Sequence, residues 1–181
     1  MELTRTALDK EQLRQYFRQS ALSSLYFHCK VILGFKDMTP ELHLDLCDTL
    51  QTGGQYTLIE LARGHLKTSI CTIGYASWLV ARDCNIRILI ATSTATNSSK
   101  WIRMLESIFE NNALYRWCFP EIIPDFKKVK WTENEMEVLR TRSFPESTVE
   151  AIGVGGTAIS RHYDVIIKDD LVNEDHILSA E

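Results

Sequence analysis

Apolar residues at Leu13, Tyr16, Phe17, Ala21 and Leu25 recur at three- and four-residue intervals, the spacing that lays one helix face against a core. Asp9 followed by Gln12 supplies a capping box, so an amphipathic N-terminal segment is predicted to end near Gly34. In "MTPELHLDLCDTLQTGG", Thr39 stands as N-cap, Pro40 at the first helical position and Gly53-Gly54 as the stop of a short helix. The period then changes. "QYTLIEL" is a short run with β-branched and aromatic residues, predicting a buried strand that ends at Leu61 or Ala62. Lys67 to about Arg82 reads as an apolar helix, and "NIRILIATST" repeats the strand pattern. Ser93 or Thr94 then caps a helix through "SSKWIRMLESIFENN", with Trp101, Leu105 and Ile108 on one face.

The middle, "YRWCFPEIIPDFKKVKWTENEMEVLR", carries two prolines and weak periodicity, predicting loop followed by one strand around Met136 to Arg140. "TVEAIG" predicts another short strand, and "YDVIIKDD" a last one whose apolar core runs into Asp169 and Asp170. Strand-helix-strand-helix order implies an α/β fold with a mainly parallel sheet flanked by helices. Residues 1–54 are read as an N-terminal helical segment packed on a core spanning 55–181.

Composition narrows the class. A chain of 181 residues, 45% hydrophobic and 24% charged, suffices for one domain with a core. Its formal charge of -4 means that any nucleic-acid contact must come from a local basic patch. Five cysteines (29, 47, 71, 84 and 118) without C-x-x-C spacing point to a reducing compartment and no metal cluster. The charged start lacks the apolar centre of a signal peptide, and no apolar run reaches a membrane span, so a soluble intracellular protein is expected.

"ARGHLKTS", Ala62 to Ser69, brings in chemistry. The strict phosphate-loop pattern G-x-x-x-x-G-K-[ST] would put Gly at 61 and 66, where Leu61 and Leu66 stand, yet Lys67 and Thr68 are in place. Between strand and helix, such a loop offers backbone N–H groups and a helix dipole to an anion. Lys67 reaches β/γ-phosphates, Thr68 ligates Mg²⁺, and Gly64 leaves one conformationally free position. A Lys-Thr at an ordinary solvated helix start is the other reading. The strand closing in Asp169-Asp170 supplies a partner: Asp169 to hold the Mg²⁺ hydration shell, Asp170 to orient the attacking water. A surface turn would also place two acids together. The two motifs in this chain order favour a metal-assisted nucleotide site.

"LIELARGHLKTSICTIGYASWLVARDCNIRILIATSTATNSSKW", "VKWTENEMEVLR" and "GVGGTAISRHYDVIIKDDLVNED" together resemble the ATPase domain of the bacteriophage terminase large subunit, a DNA-packaging motor. "CKVILGFKDMTPELHLDL" is similar to the segment preceding the phosphate loop in one branch of that family. The resemblance implies a P-loop NTPase of the additional-strand catalytic class, with a deviant [AP]-R-G-[HF]-x-K-[ST] loop. It further implies nucleotide binding by Arg63, Gly64, His65, Leu66, Lys67, Thr68 and Ser69, with Mg²⁺ on Thr68 and Asp169 and catalysis by Asp170 and Arg63, the latter as an arginine finger. ATP and Mg²⁺ would be the cofactors. Implied partners are double-stranded DNA, a portal protein ring, a small terminase subunit and further copies of the chain in a ring, all in the host cytoplasm and away from membranes.

Departures accompany the likeness. The family often has Asp-Glu where Asp169-Asp170 stand, and usually Gly where Ser160 precedes Arg161. A Ser/Thr-rich coupling motif, a further strand and a nuclease domain are expected past the acid strand, so the ATPase core is read as incomplete at Glu181. A helicase-like remodelling ATPase and a degenerate nucleotide-binding fragment are the rival readings. Lys127, Lys128 and Lys130 form the best basic patch for DNA, or else a solvated loop. Trp101, Trp117 and Trp131 stack bases or pack the core. His28, His43, His162 and His176 lack ligand spacing, and Glu174 and Asp175 have no identifiable partners for a nuclease metal centre.

Overall fold

In the computed structural model, which describes residues 9–129, 131–154 and 161–171, Asp9 caps the first helix. Its carboxylate accepts the Gln12 N–H at 2.7 Å while the Gln12 side chain accepts the Asp9 N–H at 3.1 Å, satisfying two of the open amides at a helix start. Helix α1 (Lys10–Ser23) stops where Ser24 turns extended, and the Ser24 hydroxyl then accepts the Phe27 N–H to begin the short α2 (Leu25–Phe27). A π-helical turn, His28–Ile32, follows, and Gly34 at φ +76° closes the segment. The segment expected to reach Gly34 is therefore broken into pieces, because Ser24 bonds the next turn locally instead of continuing the helix. Helix α3 (Pro40–Thr52) begins on Pro40 as predicted.

The predicted strand "QYTLIEL" is not formed. Residues 55–61 are irregular, with Tyr56 89% and Leu58 85% exposed. An apolar run holds β geometry only when a ladder satisfies its backbone, and among the described residues none pairs with it. A helical run starts at Lys67 and passes through a π-helical turn (Ser69–Gly74) into α4 (Tyr75–Arg82). Strand β1 (Ile88–Thr92) and helix α5 (Ala95–Asn111) follow, Thr94 capping α5 by accepting the Asn97 N–H. Part of the predicted middle loop is helix α6 (Ala113–Cys118). Asn112 starts it by accepting the Tyr115 N–H at 2.8 Å, and buried Tyr115 and Cys118 hold it to the core. Next come β2 (Glu135–Met136), β3 (Val149–Gly153) and β4 (Val165–Asp169).

The sheet order is β2-β3-β1-β4; β1 pairs in parallel with both β3 and β4, while β2 runs antiparallel to β3. The fold is thus α/β, with an open mixed four-stranded sheet flanked by helices. Ile88, Ile90, Ala151 and Ile167 from the sheet share one buried cluster with Ile73 and Val80 and with Ile102, Leu105 and Phe109 of α5. Each such aliphatic side chain contributes about 1.5–3 kcal/mol on full burial. A second cluster, Leu25, Cys29, Met38, Leu46, Cys47, Ile70 and Trp78, joins the N-terminal helices to the helical run after residue 67, and the Trp78 indole N–H donates to the Ala21 carbonyl at 2.9 Å. Arg87 fixes the start of β4: its backbone N–H and both arms of its guanidinium donate to the Asp164 carboxylate at 2.8–3.0 Å. Among the described residues no helix is long and apolar enough to cross a membrane.

Candidate functional site

The loop ahead of Lys67 contains two left-handed residues, Gly64 at φ +85° and Leu66 at φ +54°. No atom lies within 4 Å of where a Gly64 Cβ would sit, so glycine serves there for conformation rather than space. Leu66 holds the same backbone region at the position where the strict signature has glycine. A left-handed L-residue costs about 1–2 kcal/mol, and the half-buried Leu66 side chain offsets it by packing against the second core cluster. His65 folds its ring back so that Nδ1 lies 3.2 Å from the carbonyls of both Ala62 and Arg63. Arg63 is exposed, and no hydrogen bond or ion pair joins it to Asp169 or Asp170. Ser69 is half-buried at the start of the π-helical turn.

β4 delivers the acids to the same place. Parallel register sets Asp169 level with Thr92 at the carboxyl ends of the strands, the end at which open α/β sheets bind ligands. There the Thr68 hydroxyl lies 3.2 Å from Asp169 Oδ1, and Lys67 Nζ lies 3.4 Å from Asp170 Oδ1. Asp169 is 7% exposed. Asp170, at φ +46°, turns its carboxylate out to solvent.

Burial pushes the Asp169 carboxyl above the usual aspartate range, and the Asp170 charge adds to it; the hydroxyls of Thr68 and Thr72 and the Lys67 ammonium act the other way. Thr72 and Cys71 join this corner of the molecule without belonging to either sequence motif. Thr72 is buried and its hydroxyl makes no hydrogen bond of normal length, yet it sits close enough to Asp169 to favour the charged form. Its position four residues after Thr68, on the same helix face, was the available signal. Cys71, half-buried beside Asp169 and Lys67, has its thiol pushed up to about 12, first by burial and then by Asp169. It is a neutral packing group rather than a nucleophile.

Thr68 Oγ1 and Asp169 Oδ1 are hard oxygen donors 3.2 Å apart. Adjacent ligands of an octahedral Mg²⁺ with bonds of 2.0–2.1 Å stand about 3 Å apart, so the pair fits that ion. Among the described residues no group of three or more His, Cys, Asp or Glu gathers into a metal-holding set. Magnesium needs only one or two side chains when phosphates and waters complete its shell.

The other singled-out residues have structural places. Trp101 and Trp117 pack against the main cluster; Trp131 does so too, edge-on to Phe126, with its N–H on the Glu137 carbonyl. Lys128 pairs with Asp125 at 3.2 Å. His28 is fully buried with Nε2 3.1 Å from the Ser77 hydroxyl. His162 donates its backbone N–H to Glu146. Lys130, Ser160, Glu174, Asp175 and His176 lie outside the described residues. Comparison of the chain with protein-family models, with curated proteins and with solved structures finds no match.

Proposed function

We propose that this chain is a P-loop ATPase core of the additional-strand class, working as the motor domain of a bacteriophage terminase large subunit. One observation carries the nucleotide reading: Lys67 and Thr68, opening one helix, meet Asp170 and Asp169, closing one strand, at 3.4 Å and 3.2 Å. The ordered sequence motifs carry the narrower terminase reading.

The loop from Arg63 to Ser69 receives the phosphates on its backbone N–H groups, in the turn set by Gly64 and Leu66. Lys67, held by Asp170 without nucleotide, transfers its ammonium to the β/γ-phosphates, where the competing charge is larger. That exchange frees the Asp170 carboxylate to orient water for in-line attack and to take up its proton. Thr68 and Asp169 would hold Mg²⁺, which would supply charge neutralisation to the bound phosphates. In this reading Arg63, exposed on the loop, serves a neighbouring copy as an arginine finger. Hydrolysis then drives double-stranded DNA through a portal ring in the host cytoplasm, with a small terminase subunit selecting the DNA.

The test is phosphate release from Mg-ATP with and without double-stranded DNA. Turnover raised by DNA and lowered at least about 100-fold in Asp170→Asn is expected. Turnover indifferent to that change refutes the catalytic assignment.

A further inference from the structure

His43 on α3 lies 22 positions before His65 and is 4% exposed. Its Nδ1 is 2.9 Å from the Thr39 N–H and 3.1 Å from the Thr39 carbonyl, and its Nε2 is 3.3 Å from the His65 carbonyl. The tautomer follows from these contacts. With the proton on Nδ1, the Thr39 N–H loses its acceptor, and the bare Nε2 faces a carbonyl oxygen. With the proton on Nε2, Nδ1 accepts the Thr39 N–H and Nε2–H donates to the His65 carbonyl, so both ring nitrogens are satisfied. The Thr39 carbonyl already accepts the His43 backbone N–H at 3.1 Å, so it needs no second donor.

We infer that His43 is a positioning residue for the loop that precedes Lys67, a strut by which α3 holds the left-handed turn at Leu66. The His65 carbonyl belongs to the peptide directly before Leu66, so a donor on it limits rotation of the peptide whose neighbour sits at φ +54°. The strut does not stand alone. Leu46 and Cys47, one turn further along α3, belong to the same buried cluster as Ile70, and Leu66 packs against that cluster. The ring is thus fixed at its α3 end and directed at one loop atom. Thr39, which makes no side-chain cap bond, depends on the same ring for its N–H. The effect on nucleotide affinity rests on the function proposed above; the effect on the loop does not.

Two variants divide the ring's roles. The Asn side-chain oxygen sits where Nδ1 does, so His43→Asn keeps the acceptor for Thr39 and loses the donor to His65. The Gln amide nitrogen reaches the Nε2 position, so His43→Gln keeps the donor and loses the acceptor. Hydrogen exchange of the Ile70 amide, which donates to the Leu66 carbonyl at 2.9 Å, is read in the nucleotide-free chain, alongside thermal melting and Mg-ATP titration. In His43→Asn, exchange is expected to quicken roughly threefold to tenfold, the worth of one net hydrogen bond, and melting to fall by the same free energy. In His43→Gln, exchange stays near the parent's while melting falls. Equal exchange in the two variants overturns the inference. If the parent binds no Mg-ATP, the nucleotide reading falls, and the exchange contrast still decides the strut.

Discussion

Lys67 and Asp170 are separated by 103 positions in the chain and by 3.4 Å in space. Nothing local brings them together: Lys67 opens a helix, and Asp170 follows the edge strand. Their meeting depends on the register of β4 beside β1 and on the packing of the helical run from residue 67 under the sheet.

That packing is tight at one glycine. A Cβ on Gly74 would collide with Cys29 Sγ and meet the Ser69 carbonyl at 3.3 Å, so the N-terminal segment leans on the π-helical turn with no room for a methyl group. Gly74→Ala is expected to destabilise the chain by about 1–3 kcal/mol, measured by urea denaturation. Cys29→Ala added to it should recover part of the loss, giving a coupling that independent sites lack. Simple additivity would show that the two elements do not touch here.

Leu66 carries the left-handed turn of the loop before Lys67. Leu66→Ile keeps the volume but puts a β-branched residue at φ +54°, where such residues are outliers. A loss of about 1 kcal/mol in unfolding free energy is expected. No loss would mean that the loop does not hold the left-handed turn.

How far the sequence reveals this arrangement depends on the range of the forces involved. The Asp9–Gln12 cap, Pro40 as a helix start and the apolar cores of β1, β3 and β4 were legible because short-range rules set them. So was the placing of Lys67-Thr68 at the start of a helix and Asp169-Asp170 at the end of a strand. "QYTLIEL" misled because β propensity describes a surface waiting for a partner, and among the described residues no strand pairs with 55–61. Helix α6 was hidden by Pro120 and Pro124, although the Asn112 cap precedes it. Thr72, Cys71 and the contact of His43 with His65 needed the packing of helices to appear.

His28 gives the fold an acid-sensitive point. Burial pushes its imidazole down to about 3 from an ordinary 6.5, so the folded chain keeps it neutral. Above pH 6.5 both states are neutral and it adds no pH dependence. Below that value the unfolded chain takes up a proton that the folded one refuses until about pH 3, and stability falls by up to about 1.4 kcal/mol per pH unit. His28→Gln should therefore lose less stability than the parent between pH 6 and pH 4 in denaturant titrations. Equal slopes would mean that the ring protonates inside the fold.

The central claim is that the Lys67 ammonium and the Asp169-Asp170 pair form one site for a nucleotide and its metal. Calorimetric titration of the chain with ATP, with and without Mg²⁺ and repeated on Lys67→Ala, tests it most directly. Binding that strengthens with Mg²⁺ and drops at least about tenfold in the variant, the loss of one charge-assisted contact, is the expected result. A parent chain that binds no ATP, or binds it equally well in Lys67→Ala, contradicts the account.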